Sequence, residues 1–108
     1  MQDAGGRLKT RLLREEITER IRELAKKDRI FWADHTFERM EERGIDVLTA
    51  KRALERGEID GEPSPGKNKD EWVVKVTHRA KQNRDVGVVT VVIGTKRMLV
   101  ITVEWEDL

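Results

Sequence analysis

Hydrophobic and polar positions repeat with one period in the first half of this chain and with another in the second half. Across residues 7–28 apolar side chains recur every three or four positions among charges, which predicts one long amphipathic helix. Residues 71–79 and 98–105 alternate inward and outward, and residues 86–95 form a largely apolar run rich in valine, which together predict three strands. Helices followed by strands predict an α+β fold.

Two short helices are predicted between these halves. Asp34 is placed to cap the first helix and Gly44 to end it in a left-handed turn, while Asp46 and Gly57 are placed to bound the second. The remaining elements are an extended segment or edge strand at 29–32, a weak strand at 58–62 and a loop at 63–70. We therefore expect a single domain spanning residues 1–108, with three helices packed on an antiparallel sheet of three to five strands.

Alternation within each strand predicts which side chains face the core. The inward sets are Trp72, Val74, Val76 and His78 in one strand and Leu99, Ile101, Val103 and Trp105 in another. Residues 86–95 are apolar on both faces, as in a central strand covered on both sides. On this pattern Trp72 and Trp105 belong to the core and are not platforms for base stacking.

Composition narrows the class of protein. Charged residues make up 40% of the chain, typical of thermophile proteins, but the net charge is only +1 and predicts no partner. The chain has no cysteine, which excludes disulfides and fits a cytoplasmic protein. No apolar run reaches membrane-spanning length, and two histidines without ordered carboxylates match no metal signature. We expect no membrane segment, no metal and no cofactor.

One predicted helix carries a chemical face. At about 100° per residue, His35, Arg39 and Arg43 fall on the same side. Two arginines at i,i+4 repel, so an anion is expected beside them, either a phosphate or a carboxylate of a neighbouring helix. A neutral His35 would suit a general base, but it could equally satisfy a backbone carbonyl near the helix start.

Further candidates lie on the strands. His78 ends a predicted inward row and could approach the helix that carries His35. Candidates for contacts to a nucleic-acid backbone are Lys75, Arg79, Lys81, Arg84, Lys96 and Arg97, although basic hairpins are also common as solvated sheet edges.

The motif His35-x3-Arg39-Met40-x2-Arg43-Gly44-Ile45 is followed by a helix ending Gly57-Glu58-Ile59 and by strands ending VITV at Val100–Val103. This pattern resembles the family catalogued as domain of unknown function 4258. The resemblance covers about residues 29–105 and leaves the first helix as an addition. Relatives of that family look like the RelE-type and BrnT-type toxins, which are small ribonucleases or translation-blocking proteins.

The resemblance implies a RelE/BrnT-like fold and a cytoplasmic toxin-type protein that binds RNA, with or without the ribosome, and has an antitoxin partner. It would cleave RNA without metal, with His35, Arg39 and Arg43 at the family's positions. Such cleavage needs an acid, a base and a group that stabilises the phosphorane-like transition state. His35 and His78 could supply the first two, and Arg39, Arg43 and Arg79 the third. The chain has no tyrosine, a residue that some related toxins use, so their mechanism does not carry over directly. The alternative is a non-catalytic module that binds a protein or a second copy through its first helix and a sheet edge.

Overall fold

The computed structural model describes residues 3–107, with side chains described from residue 8. Its elements are α1 (Asp3–Lys26), β1 (Ile30–Trp32), α2 (Thr36–Arg43), α3 (Val47–Arg56), β2 (Glu58–Pro65), β3 (Glu71–Arg79), β4 (Asp85–Ile93) and β5 (Arg97–Trp105). A short 3-10 turn at Lys81–Asn83 joins β3 to β4. The predicted α+β class and the long first helix are confirmed.

The five strands form one sheet in the order β1-β5-β4-β3-β2. All neighbours are antiparallel except β1, which pairs with β5 in parallel, so the sheet is mixed and not antiparallel as predicted. The direction of a three-residue strand cannot be deduced from its own side chains. β1 and β2 are the sheet edges, and the pairing of β2 with β3 breaks between Asp60 and Ser64. β2 also continues to Pro65, so the predicted loop at 63–70 begins later than expected.

The helices and one face of the sheet enclose a single core. Its largest contributors from the helices are Ile17, Ile21, Leu24, Met40 and Leu54, and from β3 and β4 they are Val74, Val76, Val86, Val88 and Val92. The odd-numbered side chains of β4 point to the other face and are half-buried between residues 89 and 93, with no described helix over them. The prediction that both faces are covered is wrong, because valine is favoured in strands whether or not it is buried.

A β-bulge changes the inward face of β5 partway along the strand. Val103 and Trp105 are buried as predicted, but Ile101 is 41% exposed. The pairing with β4 skips Ile101, so the alternation reverses at this residue. Met98 and Val100 are therefore fully buried in place of Leu99, and the predicted inward set is wrong before the bulge.

The two halves of α1 have different surroundings. Ile17 and Ile21 are buried in the core, whereas Leu8 and Leu12 are 47% and 52% exposed. Nine positions separate Leu8 from Ile17, about two and a half helical turns, so their side chains point in opposite directions. Only the later part of the predicted apolar stripe, from Leu13 onward, packs on this chain's own core.

The end of α2 follows the sequence prediction, but its start does not. Gly44 adopts a left-handed conformation with φ 69°, and its N–H donates to helix carbonyls, while Ile45 packs back into the core. The N-terminal cap is His35, itself left-handed with φ 68°, and not Asp34. Buried Thr36 donates its hydroxyl to the Ile101 carbonyl at 3.2 Å, which fixes where the helix begins.

Both ends of α3 are fixed as its sequence suggests. The Asp46 carboxylate accepts the N–H of Thr49 at 2.7 Å. Gly57 ends the helix with extended backbone, where an added Cβ would lie 2.6 Å from the carbonyl oxygens of Ala53 and Thr77. Glycine is required here because the end of α3 lies directly against the backbone of β3.

Replacing Gly57 by alanine should lower the free energy of unfolding by about 3 kcal/mol, because the obstructing carbonyls belong to the backbone and cannot rotate away. Gly87→Ala is the matched control. The atoms nearest to its Cβ would be the ends of the Lys75 and Glu106 side chains, which can move, so we expect a loss below about 1 kcal/mol. Urea unfolding measures both values, and equal losses would contradict the assigned close approach.

The Asp46 cap should make stability depend on pH. Hydrogen bonds from Thr49, with a smaller contribution from Lys81, hold the pKa of the Asp46 carboxyl below its usual range. The charged cap therefore stabilises the fold above about pH 4 and loses this effect as the pH falls through the lowered pKa. The Asp46→Asn variant should be less stable than the parent by about 0.5 kcal/mol at pH 7, since the carboxylate is exposed. Urea unfolding at pH 7 and pH 3 should show this difference shrinking, and a constant difference would refute it.

Candidate nucleic-acid interface

A basic hollow of about 330 Å³ lies between α3 and the end of β3. We define it by its lining residues, which are Thr49, Arg52, Arg56, His78, Arg79, Ala80 and Lys81. Four of these side chains carry a full positive charge and none is acidic. The hollow is thus a concentration of positive charge in a chain whose net charge is only +1.

The helical side of the basic hollow is formed by two arginines. Arg52 and Arg56 stand one turn apart on α3, are exposed, and have no ion pair among the described residues. Ala53 and Leu54 occupy the buried side of the same helix. Like charges at i,i+4 cost a few tenths of a kcal/mol, which an anion bound between them would offset. This pair was not among the residues predicted from the sequence, although the arginines of α2, which have the same i,i+4 spacing, were.

The β3 side of the basic hollow contributes the imidazole of His78 and two further cations, Arg79 and Lys81. His78 is half-buried at the end of β3. Arg79 donates through Nε to the Asp85 carboxylate at 2.7 Å, and the Lys81 ammonium is 3.7 Å from Asp46. These ion pairs are largely exposed to water, where such pairs contribute little stability. Arg79 and Lys81 can therefore turn toward another anion at low cost.

The connection between β3 and β4 keeps Lys81 beside the strand end. Gln82 and Asn83 both have left-handed backbones, with φ 57° and 58°. The Ala80 N–H donates to the Arg84 carbonyl at 2.7 Å and closes the turn. Two successive left-handed residues reverse the chain within a short distance, so Lys81 remains next to His78 and Arg79.

The three predicted residues of α2 do not form one free cluster. The His35 ring, with its side chain 73% exposed, has Nδ1 2.9 Å from the Glu38 carboxylate. Arg43 is half-buried and donates to the Val103 carbonyl at 2.9 Å. Arg39 is exposed and has no ion pair in the described part of the chain. Of the three, Arg39 is therefore the side chain most open to an external anion.

His35 and His78 are not brought into a common hollow. His35 precedes α2, which packs on β5, whereas His78 belongs to β3, and β4 lies between these two strands. The lining of the basic hollow includes no residue of α2. The hollow beside α2 is lined by Phe37, Met40, Glu41, Gly44, Ile45, Asp46 and Val47, and His35 is not among them.

The six predicted RNA-contacting cations divide into three groups. Arg79 and Lys81 line the basic hollow. Lys75 is paired with Glu106 at 2.7 Å, and the hydrogen bond that it donates to the Glu106 carboxylate raises the pKa of Lys75. Arg84 makes two hydrogen bonds to Asp107, at 2.9 and 3.0 Å.

Lys96 and Arg97 form the third group, at the turn between β4 and β5. They lie at the opposite end of β4 from the basic hollow, about 27 Å away at 3.4 Å per residue.

Trp105 is a core residue as predicted, since it is 8% exposed and its Nε1 donates to the Arg43 carbonyl at 2.7 Å. Trp72 is partly buried against the same core.

The described residues contain neither a candidate metal site nor a candidate membrane-spanning helix. No group of three or more histidine, aspartate or glutamate side chains there could hold a metal ion. None of the described helices combines the length and the apolar character needed to cross a membrane.

Comparison with known proteins gives one match. No curated protein and no solved structure matches the chain. A family profile matches residues 32–105, which begin after α1 and include every lining residue of the basic hollow. The chain therefore belongs to the family described as Domain of unknown function (DUF4258).

Proposed function

We propose that this chain is a toxin-type RNA-binding protein that holds an RNA phosphate in the basic hollow. The observation that carries the proposal is the lining of that hollow, in which four cations and one imidazole lie together and two of the cations, Arg52 and Arg56, have no ion pair among the described residues. Such a lining favours an anionic ligand.

The chemistry of the lining favours phosphate over a simple point anion. Guanidinium groups make bidentate, charge-assisted hydrogen bonds that match the geometry of phosphate oxygens. Arg52 and Arg56 have no ion pair among the described residues, so binding a phosphate does not require them to give up a carboxylate. The volume of about 330 Å³ is at the lower end for ligand pockets and suits about one nucleotide.

The resemblance to RelE-type and BrnT-type toxins favours RNA among the polyanions, and His78 gives the basic hollow a group that could move a proton. In the proposed reaction His78 accepts the proton of the 2′-hydroxyl and the 2′-oxygen bonds to phosphorus. The bond to the 5′-oxygen then breaks, and water protonates that oxygen. The products are a 2′,3′-cyclic phosphate and a 5′-hydroxyl. Arg52 and Arg56 would stabilise the added charge on the phosphorus oxygens.

A second candidate function is a protein-interaction module, with an antitoxin as one class of partner. Large apolar side chains are exposed at separate places on the molecule, namely Leu8, Leu12, Phe31, Phe37, Val47, Leu48 and Ile101. Leu8 with Leu12, and Phe37 with Val47, are exposed apolar pairs, and such clusters mark interaction sites more often than single exposed residues do. This function does not compete with RNA binding, because none of these residues lines the basic hollow.

The Arg52→Ala/Arg56→Ala double variant should bind single-stranded RNA about 10- to 100-fold more weakly than the parent, since two phosphate contacts are lost. The slope of the logarithm of the binding constant against the logarithm of salt concentration should also become shallower by about 1.4, the value for two phosphate contacts to a single strand. The control is Lys96→Ala/Arg97→Ala, which removes the same charge at the far end of β4 and should retain most of the affinity. Fluorescence anisotropy over a salt series measures both, and equal weakening would place the binding elsewhere.

His78→Gln should abolish RNA cleavage in chelator while RNA binding stays within about threefold, because the arginines remain in place. His35→Gln is the matched control and should cleave at close to the parental rate, since His35 lies outside the basic hollow. Electrophoresis of end-labelled RNA measures cleavage. Loss of cleavage in the His35 variant alone would transfer the catalytic role to α2. If neither the parent nor the variants cleave RNA, the protein would bind RNA without this activity.

A further inference from the structure

An apolar shelf lies at the corner where α2 meets α3. It encloses about 470 Å³ and is lined by Phe37, Met40, Glu41, Gly44, Ile45, Asp46 and Val47. Met40 and Ile45 are buried and form its floor, whereas Phe37 is 52% and Val47 39% exposed at its sides. The shelf thus presents two large apolar side chains to solvent above a hydrophobic floor.

The rim of the apolar shelf is acidic. Glu41 and Asp46 are its charged lining residues, and both are exposed. Glu41 has no ion pair among the described residues, and Asp46 has only the distant Lys81. Arg39 stands two positions after Phe37, and Arg43 stands two positions after Glu41. Because two positions turn the helix by about 200°, each arginine projects away from that shelf residue, on the other side of α2. An occupant of the shelf should therefore be apolar in its centre and basic at its edges.

Residues 8–12 of α1 have these properties. Leu8 and Leu12 stand one turn apart, are exposed, and point away from the core side of the helix. Lys9 and Arg11 lie beside them and are exposed. No element of the same chain covers this side of the helix within the described residues.

The two surfaces cannot meet within one molecule. Lys51 of α3 contacts Asp28 after the end of α1 at 3.1 Å, and Arg22 contacts the Gly57 carbonyl at 3.2 Å. α1 and α3 are therefore antiparallel, and Val47 lies toward the C-terminal end of α1. Leu12 is 16 positions before Asp28, about 24 Å along the helix. The apolar shelf and the leucine pair are thus at opposite ends of α1.

We propose that a second copy of this chain fills the apolar shelf. The first turns of α1 from one protomer lie in the shelf of its partner, with Leu8 and Leu12 against Phe37 and Val47. Lys9 and Arg11 then face the acidic rim. Because the two surfaces are at opposite ends of a molecule measuring 46 × 29 × 22 Å, a twofold axis allows each protomer to give and to receive a helix. The result is a closed dimer that leaves both basic hollows open.

Cysteine pairs test the contact directly, because the natural chain has no cysteine. Leu12→Cys protein mixed with Val47→Cys protein should form a disulfide-linked dimer under mild oxidation. Leu12→Cys mixed with Ile101→Cys is the control, since Ile101 is equally exposed and apolar but lies on β5. Cross-linking in the first mixture alone is the expected result. No cross-link in either mixture, or equal cross-linking in both, would overturn the proposal.

Sedimentation equilibrium gives an independent measurement in solution. Lys9→Glu and Glu41→Lys should each raise the dimer Kd by about tenfold, and the two together should restore most of the affinity, because the pair of charges is only exchanged. Circular dichroism confirms that each variant is folded, which is expected for exposed positions. A parent protein that stays monomeric at all concentrations, or charge exchanges that do not rescue each other, would overturn the proposed dimer.

Discussion

The close approach of Gly57 to the backbone of β3 determines where the remaining features of this molecule lie. An added Cβ at Gly57 would be 2.6 Å from carbonyl oxygens on both the helix and the strand, so α3 ends in direct contact with the sheet. This contact brings Arg52 and Arg56 beside His78, a residue more than twenty positions away in sequence. A helix held further from the strand by a side chain could not share a hollow with it.

α3 separates two surfaces of different chemistry. One side of α3 presents Thr49, Arg52 and Arg56 to the basic hollow. The first residue of the helix, Val47, borders the apolar shelf. Asp46 lies between them, since it lines the shelf and stands 3.7 Å from Lys81 of the hollow. The near-zero net charge therefore conceals a local separation of charge, with cations on one side of a ten-residue helix and carboxylates near its start.

Much of the fold could be predicted because it depends on local patterns. Alternation located β3 at residues 71–79, and the left-handed turn at Gly44 and the cap at Asp46 follow from the preferences of single residues. The bulge at Ile101 could not be predicted in this way, because it is specified by pairing with β4 and not by the order of side chains in β5. The parallel direction of β1 has the same origin.

The candidate site was predicted in part for a similar reason. His78, Arg79 and Lys81 are close in sequence, and strand alternation was enough to draw attention to them. Helical spacing placed Arg39 and Arg43 on one side of α2, but the partner of Arg43 is a backbone carbonyl of β5, which no side-chain pattern reveals. Arg52 and Arg56 gain significance only when α3 is placed against the end of β3.

The two edges of the sheet limit how this protein can associate. β2 contains Pro63 and Pro65, which have no N–H to donate, and its ladder is already interrupted after Asp60. β1 at the other edge has only three residues. Neither border is a good template for β-augmentation by a peptide or for cross-β stacking of copies. Any recognition of another protein would therefore rely on side chains, where sequence changes can alter partner choice without disturbing the backbone ladder.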